Sequence, residues 1–376
     1  MLLADLGASV VRVESPTRQD IVHYKPPFRD GVAAWHGTLN RSKRSLALDL
    51  AQPGAPAVVR RLVAHYDIVV EQSRPGVMDR LGVGYEALRA ANPRLIYCAL
   101  TGYGQDGPYR DRAGHDINYI ALAGISAHSG RAGHGPPPLG IQPADIGAGS
   151  HGAVIAILAA ALHRTLTGEG QFLEVSMFDG ALAWNALTIA DTLAGAEPGP
   201  EATLLNGGTA YDYFATADGR YLAVGALEPK FWRAFCAVIA RPDLANRPPA
   251  LALNDQALKA AVAAAIASRT LSDWQERFAA VDACVEPVLT PAEAMAHPQT
   301  VARGGLVPVP NPHGAPQLQV AHPLRFSRTP PSYRHVGPVL GAHTREVLLA
   351  AGFAEDELRE LQRQGTIQLP GEDDAR

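Results

Sequence analysis

The 376-residue chain is 47% hydrophobic, with 33 basic against 37 acidic side chains and a formal net charge of −4. That is apolar sequence enough for a sizeable core and two domains, and a charge too small and scattered for nucleic acid or an anionic membrane as the main partner. The apolar run 152–162 falls short of the ~20 residues that span a bilayer, and Cys98, Cys236 and Cys284 lie far apart without zinc spacing, which points to a cytoplasmic, metal-free globular protein without a disulfide framework.

The opening MLLADLGASVVRVE predicts a short helix stopped at Gly7 and a strand over 9–14. A chain that enters a buried-looking strand after barely two helical turns begins mid-unit. If the fold is Rossmann-like, as the family resemblance given below implies, a strand, a turn and part of a helix, roughly 20–30 residues, are expected upstream of Met1. RSLALDL reads as a strand, GAPAVVRRLVAHY as a helix, DIVVEQ as a strand, YEALRAAN as a helix and PRLIYCALTGYG as a strand running into a loop. Strands alternating with helices at this spacing predict βαβ units and a parallel sheet. Past Gly147 a long Ala-rich helix reaches about Thr165, and GQFLEVSM is a further strand. Residues 197–208 are rich in Gly and Pro and read as a linker. YDYFATADGRYLAVG is then a strand pair around the turn Asp218-Gly219, followed by helices to about Ala280, Pro-rich loops over 307–338 and a polar amphipathic helix.

Two stretches match G-x-G-x-x-G. GYGQDG (102–107) runs into Pro108 and a charged loop, so it has no helix on which to seat a pyrophosphate. GAGSHG (147–152) does open a helix, but PPPLGIQPAD before it is a poor central strand. Its glycines read instead as points where a ligand or another stretch of backbone comes close. In AGHDINYIALAG (113–124) the polar group His115, Asp116 and Asn118 fits a helix entrance, with Asp116 or Asn118 serving first-turn amides. The other reading is a reaction centre, because His trades protons near neutral pH. Asp145 precedes the Ala-rich helix as an N-cap, or as a glycine-lined base or nucleophile. His128, His134 and His151 match no metal-ligand spacing. Glu228 precedes Pro229 at a helix start and suits dipole pairing there.

LLADLGASVVRVE, KRSLALDL, RPGVMDRLG, NPRLIY, GYGQDGP, GHDINY, TGEGQFLEVSMFDG, NGGTAYDYFATADGRYLAVGALEPKFW, DACVEPVLTPAEAMAHPQ and LGAHTREVL stand in register over nearly the whole chain. Together they resemble the family III CoA-transferase (CaiB/BaiF) superfamily, and within it the α-methylacyl-CoA racemases. The resemblance implies an α/β fold with a large Rossmann-like, CoA-binding domain around a parallel sheet, a smaller α+β domain, and two protomers interlocked like chain rings. It places the first part of the large domain at 1–196, a linker at 197–210, the small domain at 211–306, and a return to the large domain with a C-terminal helix at 307–376. It assigns His115 and Asp145 as the two acid/base groups, supported by Glu228. Leu48, Asp49, Leu50, Gln72, Arg80 and Leu81 fall on the CoA side, and Gly114, Asp116, Ile117, Asn118 and Tyr119 near the thioester. Without the resemblance, Arg80 reads equally as a solvated helix-flank charge.

The activity implied is inversion of the α-carbon of 2-methyl-branched acyl-CoA thioesters by 1,1-proton transfer, with no cofactor beyond the CoA of the substrate. One alternative is CoA transfer between carboxylic acids through an acyl and CoA-thioester intermediate on Asp145. The His115 position commonly holds another residue in those transferases. A second alternative is a CoA-binding paralogue without catalysis. The sequence departs from the racemase pattern in lacking a strand and Gly/Pro turn before LLADLGA and in having Ser15 where an arginine is often seen. HYKPPFRDGVAAWHGTLN and LGIQPADIG are also closer to the transferases.

Overall fold

The computed structural model describes residues 1–249 and 252–370. Two compact units interleave along the chain: the first takes Met1–Thr101, His151–Val175 and Ala294–Arg376, the second Gly102–Ser150 and Ser176–Glu293.

Helix α1 (Leu2–Asp5) ends at Gly7, whose φ of 101° only glycine adopts freely, and leads into β1 (Val11–Glu14). The strands β2 (Phe28–Arg29) and β3 (Val32–Ala33) form a hairpin, and α2 (Ala34–Leu39) follows. β4 (Arg44–Ala47) then pairs parallel with β1, Val11 opposite Arg44. Helix α3 (Ala55–Val63) crosses over to β5 (Ile68–Glu71). After α4 (Val77–Arg80) and α5 (Tyr85–Arg89), β6 (Ile96–Thr101) pairs parallel with β5.

Helix α6 (Asp116–Leu122) stands before a wide-turned π-helical stretch, Ala144–His151, which continues into α7 (Gly152–Thr167). β7 (Phe172–Ser176) completes the sheet β5-β6-β7, whose middle strand β6 is buried along most of its length. Then come α8 (Met177–Trp184) and α9 (Ala186–Leu193), the antiparallel pair β8 (Asp212–Ala215) and β9 (Tyr221–Val224), and helices α10 (Pro229–Val238), α11 (Gln256–Ile266) and α12 (Leu271–Phe278). β10 (Val285–Pro287) joins β9 antiparallel. Helices α13 (Pro291–Ala296) and α14 (Pro298–Ala302), the hairpin β11 (Leu306–Val309) and β12 (Gln317–Val320), and helices α15 (Thr344–Ala350) and α16 (Glu355–Arg363) finish the described chain.

The fold is thus mixed α/β with parallel strand pairs, but three expectations need correction. The parallel pairs lie in two separate sheets, β1-β4 and β5-β6-β7, rather than one. The βαβ alternation dictates that successive strands run parallel; it does not dictate which edges meet. Inside the Pro-rich segment the structure has the hairpin β11-β12. Its alternation is inverted, with Gln317 and Gln319 buried and Leu318 and Val320 exposed, so it carries no outward sign of a strand. Third, the helix around 152–162 is longer than its apolar run. From Ala144 to Thr167 it is long and apolar enough, by length and composition, to cross a membrane. Most of it is unburied, and Ile155, Leu158, Leu162 and Leu166 are each at least half exposed along one face.

Each unit has its own core. In the first, Leu46 and Leu48 of the β4 region pack with Val58 and Leu62 of α3, Val347 and Leu348 of α15, and Leu358 of α16. Its charged centre is a fully buried pair, Arg41 donating through Nε and Nη2 to the carboxylate of Asp5 and through Nη1 to the carbonyl of Val320. In the second, Trp232, Phe235, Trp274 and Phe278 pack on Phe214, Leu222 and Val224. Each indole N–H is satisfied by a backbone carbonyl, Trp232 by Leu244 and Trp274 by Ile266.

Candidate active site

His115 occupies the N-cap of α6 in an extended conformation, φ −131° and ψ 173°. Its backbone N–H donates to the side-chain oxygen of Asn118 at 3.0 Å, the reciprocal half of a helix-entrance motif. The helix entrance expected from the sequence is therefore present, with Asn118 serving it, and His115 is exposed.

The glycine before it is needed for packing. A methyl on Gly114 would lie 2.7 Å from the Tyr103 hydroxyl and 2.7 Å from the Tyr119 ring, and one on Gly102 would meet the Tyr119 hydroxyl at 2.6 Å. Between these two glycines Tyr119 stands edge-on to Tyr103, ring centroids 5.1 Å apart, and donates its hydroxyl to the carbonyl of Gly114 at 2.6 Å. That bond holds the turn carrying His115 against its own helix.

Asp116 does not serve α6 in the way the sequence suggests. Its buried carboxylate accepts from the backbone N–H of Ala144 at 2.6 Å and of Asp145 at 3.1 Å. Asp145 is accordingly not an N-cap. It sits in the first turn of the π-helical stretch, and Asp116, far away in sequence, caps that turn. Burial lifts the half-buried Asp145 carboxyl above the usual carboxylate range; the Asp116 charge adds to this and His115 opposes it. The Asp145 charge in turn helps burial push the Tyr119 phenol up to about 12. His115, Asp116, Tyr119 and Asp145 thus form one electrostatic group.

The glycines of 147–152 each admit a close neighbour. A methyl on Gly147 would meet the Trp184 ring at 2.2 Å and one on Gly149 would meet Met177 at 2.9 Å, so α8 lies directly on the stretch that carries Asp145. Ile117 and Ile146, close in sequence to His115 and Asp145, are exposed, as are Leu139 and Ile141. This leaves apolar surface on the segments that carry His115 and Asp145. Tyr103, Met177 and Trp184 escaped the sequence reading because only the fold brings them to Tyr119 and to the glycines.

Gly114, Ile117, Asn118, Tyr119 and Glu228 lie in the second unit with His115 and Asp145, whereas Leu48, Asp49, Leu50, Gln72, Arg80 and Leu81 lie in the first. Within the first unit the Leu48 side chain belongs to the core, leaving only its backbone for a ligand. Asp49 accepts from the Ala51 amide, Leu50 and Leu81 are half-buried against core clusters, and Gln72 and Arg80 are exposed. Glu228 precedes α10 without capping it, and among the described residues no hydrogen bond or ion pair joins it to His115 or Asp145; its charge acts on the Cys284 thiol. His128 bonds Asn185 at 3.0 Å, and among the described residues no His, Cys, Asp and Glu cluster could hold a metal ion.

The profile of CoA-transferase family III matches residues 1–344. The chain is 36% identical to a human (Homo sapiens) α-methylacyl-CoA racemase, over 98% of this chain and 92% of the racemase. It is 32% identical to the succinyl-CoA–D-citramalate CoA-transferase of Chloroflexus aurantiacus, over 97% of this chain and 93% of that enzyme. Among solved structures, a CaiB/BaiF family protein from Brucella suis superposes with a TM-score of 0.78 at 32% identity, covering 93% of each chain.

Proposed function

The chain belongs to CoA-transferase family III, and on that premise we propose that it is an acyl-CoA racemase acting on 2-methyl-branched acyl thioesters. The observation that carries this is the pairing of His115 with Asp145: an exposed imidazole at a helix entrance, coupled to a carboxyl that burial and Asp116 hold toward its protonated form.

Inversion of an α-carbon needs one group to take the proton and a second to return one to the opposite face. In one direction neutral His115 accepts the α-proton, the C–H electron pair moves into the thioester as an enolate, and protonated Asp145 delivers a proton to the other face. In the reverse direction the Asp145 carboxylate accepts and protonated His115 donates. The upward displacement of Asp145, from its burial and the Asp116 charge, is in the direction that a proton donor needs. Glu228 supports the site by orienting a neighbour, the residues assigned to CoA by the family resemblance are Leu48–Leu50, Gln72, Arg80 and Leu81, and the chemistry draws on no further cofactor.

The test is α-deuterium incorporation into 2-methylacyl-CoA in D2O. His115→Ala and Asp145→Ala are each expected to lose about 10²–10⁴-fold in exchange rate while CoA affinity stays near wild type. Wild-type protein that exchanges nothing across several chain lengths refutes the reading. The transferase reading draws on the succinyl-CoA-dependent relative above. It requires Asp145 to act as a nucleophile, and mass spectrometry would then find an acyl or CoA adduct on Asp145.

The working form is an interlocked homodimer of the cytoplasm. The exposed stripe Ile155, Leu158, Leu162 and Leu166 is the kind of surface a second copy covers, and the free thiols suit a reducing compartment. Light scattering is expected to give twice the chain mass; a monomer that partitions into lipid vesicles would instead assign the stripe to a membrane.

A further inference from the structure

Resting on the reading of His115 and Asp145 as a proton-transfer pair, we propose that Asp116 is a positioning residue. It ties the backbone of one acid/base group to that of the other and places a fixed anion beside Asp145. His115 and Asp145 are 30 residues apart in sequence, yet one side chain spans the gap. Asp116 follows His115 directly as the first residue of α6, and its Oδ1 lies 2.6 Å from the Ala144 N and 3.1 Å from the Asp145 N. These two amides open the π-helical stretch, where amides lack helical partners and the helix dipole favours an anion. A shift of α6 would therefore carry Asp145 with it, and the separation of the two reactive groups is fixed by one short bridge rather than by the long loop between them.

The charge is a separate contribution. Asparagine presents the same side-chain oxygen at the same reach and caps amides about as well as aspartate, so hydrogen bonding alone does not call for a carboxylate here. Asp116 is only 7% exposed, which leaves its field poorly screened. The titratable groups facing Asp145 are Asp116, His115 and the Tyr119 phenol of α6, with Tyr103 behind Tyr119. Among them Asp116 works to keep a proton on Asp145 and His115 works to remove it.

Asp116→Asn separates geometry from charge, because its side-chain oxygen can still accept from both amides. In protein labelled with 13C at the aspartate carboxyls, the Asp145 resonance is assigned by its loss in Asp145→Asn and followed through a pH titration. In Asp116→Asn the Asp145 midpoint is expected to move to lower pH. The limb of the kcat/KM profile that reports Asp145 moves the same way in both directions of the reaction, since it tracks the same carboxyl. Asp116→Ala, which also loses the bridge, is expected to drop kcat by about 100-fold, the scale of a misplacement near 1 Å, with a smaller change in KM. Should Asp116→Asn fail to fold, Asp116→Ser still removes the charge, though its shorter side chain gives up the bridge, and the Asp145 midpoint is again expected at lower pH. An unchanged Asp145 titration in the folded neutral variant overturns the proposal. A shifted titration in a protein whose wild type exchanges no α-proton would keep the Asp116–Asp145 link and refute the racemase reading instead.

Discussion

Gly180→Ala pits helix propensity against contact geometry. Gly180 lies inside α8, and in an exposed helix interior the change would stabilise by about 1 kcal/mol. Here the added methyl would stand 2.6 Å from the Ala148 Cβ and 3.0 Å from its Cα. The shorter contact falls about 0.8 Å inside the 3.4 Å at which ordinary contact begins, and part of the obstruction is backbone that cannot rotate away. Overpacking of this kind costs about 1–3 kcal/mol, which cancels the propensity gain and leaves a net loss of up to about 2 kcal/mol. The larger effect falls on catalysis. Ala148 lies three residues beyond Asp145 on the same π-helical stretch, so parting α8 from it by on the order of 1 Å moves the carboxyl, at a scale of about 100-fold in rate. Urea unfolding and α-proton exchange read the two quantities. Ala148→Gly removes the nearer obstructing atom, so the double variant should recover much of the rate, with a coupling energy of about 0.5–3 kcal/mol. A Gly180→Ala protein with a raised urea midpoint and wild-type exchange would refute the reasoning.

Asp5→Ala strands a fully buried guanidinium, since Arg41 loses its carboxylate and keeps the neutral partners Gln319, the Val320 carbonyl and the Tyr333 ring. The expected loss is about 3–5 kcal/mol in urea unfolding, and a loss under about 1 kcal/mol would contradict it. Glu201 is held down to about 2 by the Lys259 ammonium, with the Ala132 amide and the Arg131 guanidinium contributing. Its folded value lies below the ordinary 4.5, so its stabilisation is present above about pH 4.5 and is lost as pH falls toward 2. Glu201→Gln should flatten the dependence of the urea midpoint on pH across that window. Cys98 and Cys236 are buried and pushed up to about 11, while Cys284 is exposed. Maleimide should therefore label the native protein at Cys284 alone. Glu228→Gln should speed that reaction at fixed pH, because Glu228 is one of the charges that raise this thiol.

What the sequence by itself determined is local. The stop at Gly7, the βαβ alternation through β6, the long apolar helix and the hairpin turning at Asp218-Gly219 all follow from periodicity and turn chemistry within a few residues, and the structure has each of them. GHDINY and the aspartate before a long helix marked His115 and Asp145 as candidates, and their motifs carried the family. Tertiary structure decided what those residues touch. The Asp116 carboxylate reads in sequence as a first-turn group of its own helix, yet it caps amides near Asp145, because the orphaned N–H groups of another segment are within its reach. The glycines of 147–152 read in sequence as points of close approach, but only the fold decides that the neighbours are Trp184 at Gly147 and Met177 at Gly149. Gln317 and Gln319 point inward while Leu318 and Val320 face out, since Gln319 bonds the Gly37 carbonyl, a partner no local pattern foretells. Periodicity records which face of an element is apolar. Hydrogen bonds and close contacts between distant segments depend on where the chain brings their atoms, and that is set only when the whole core packs.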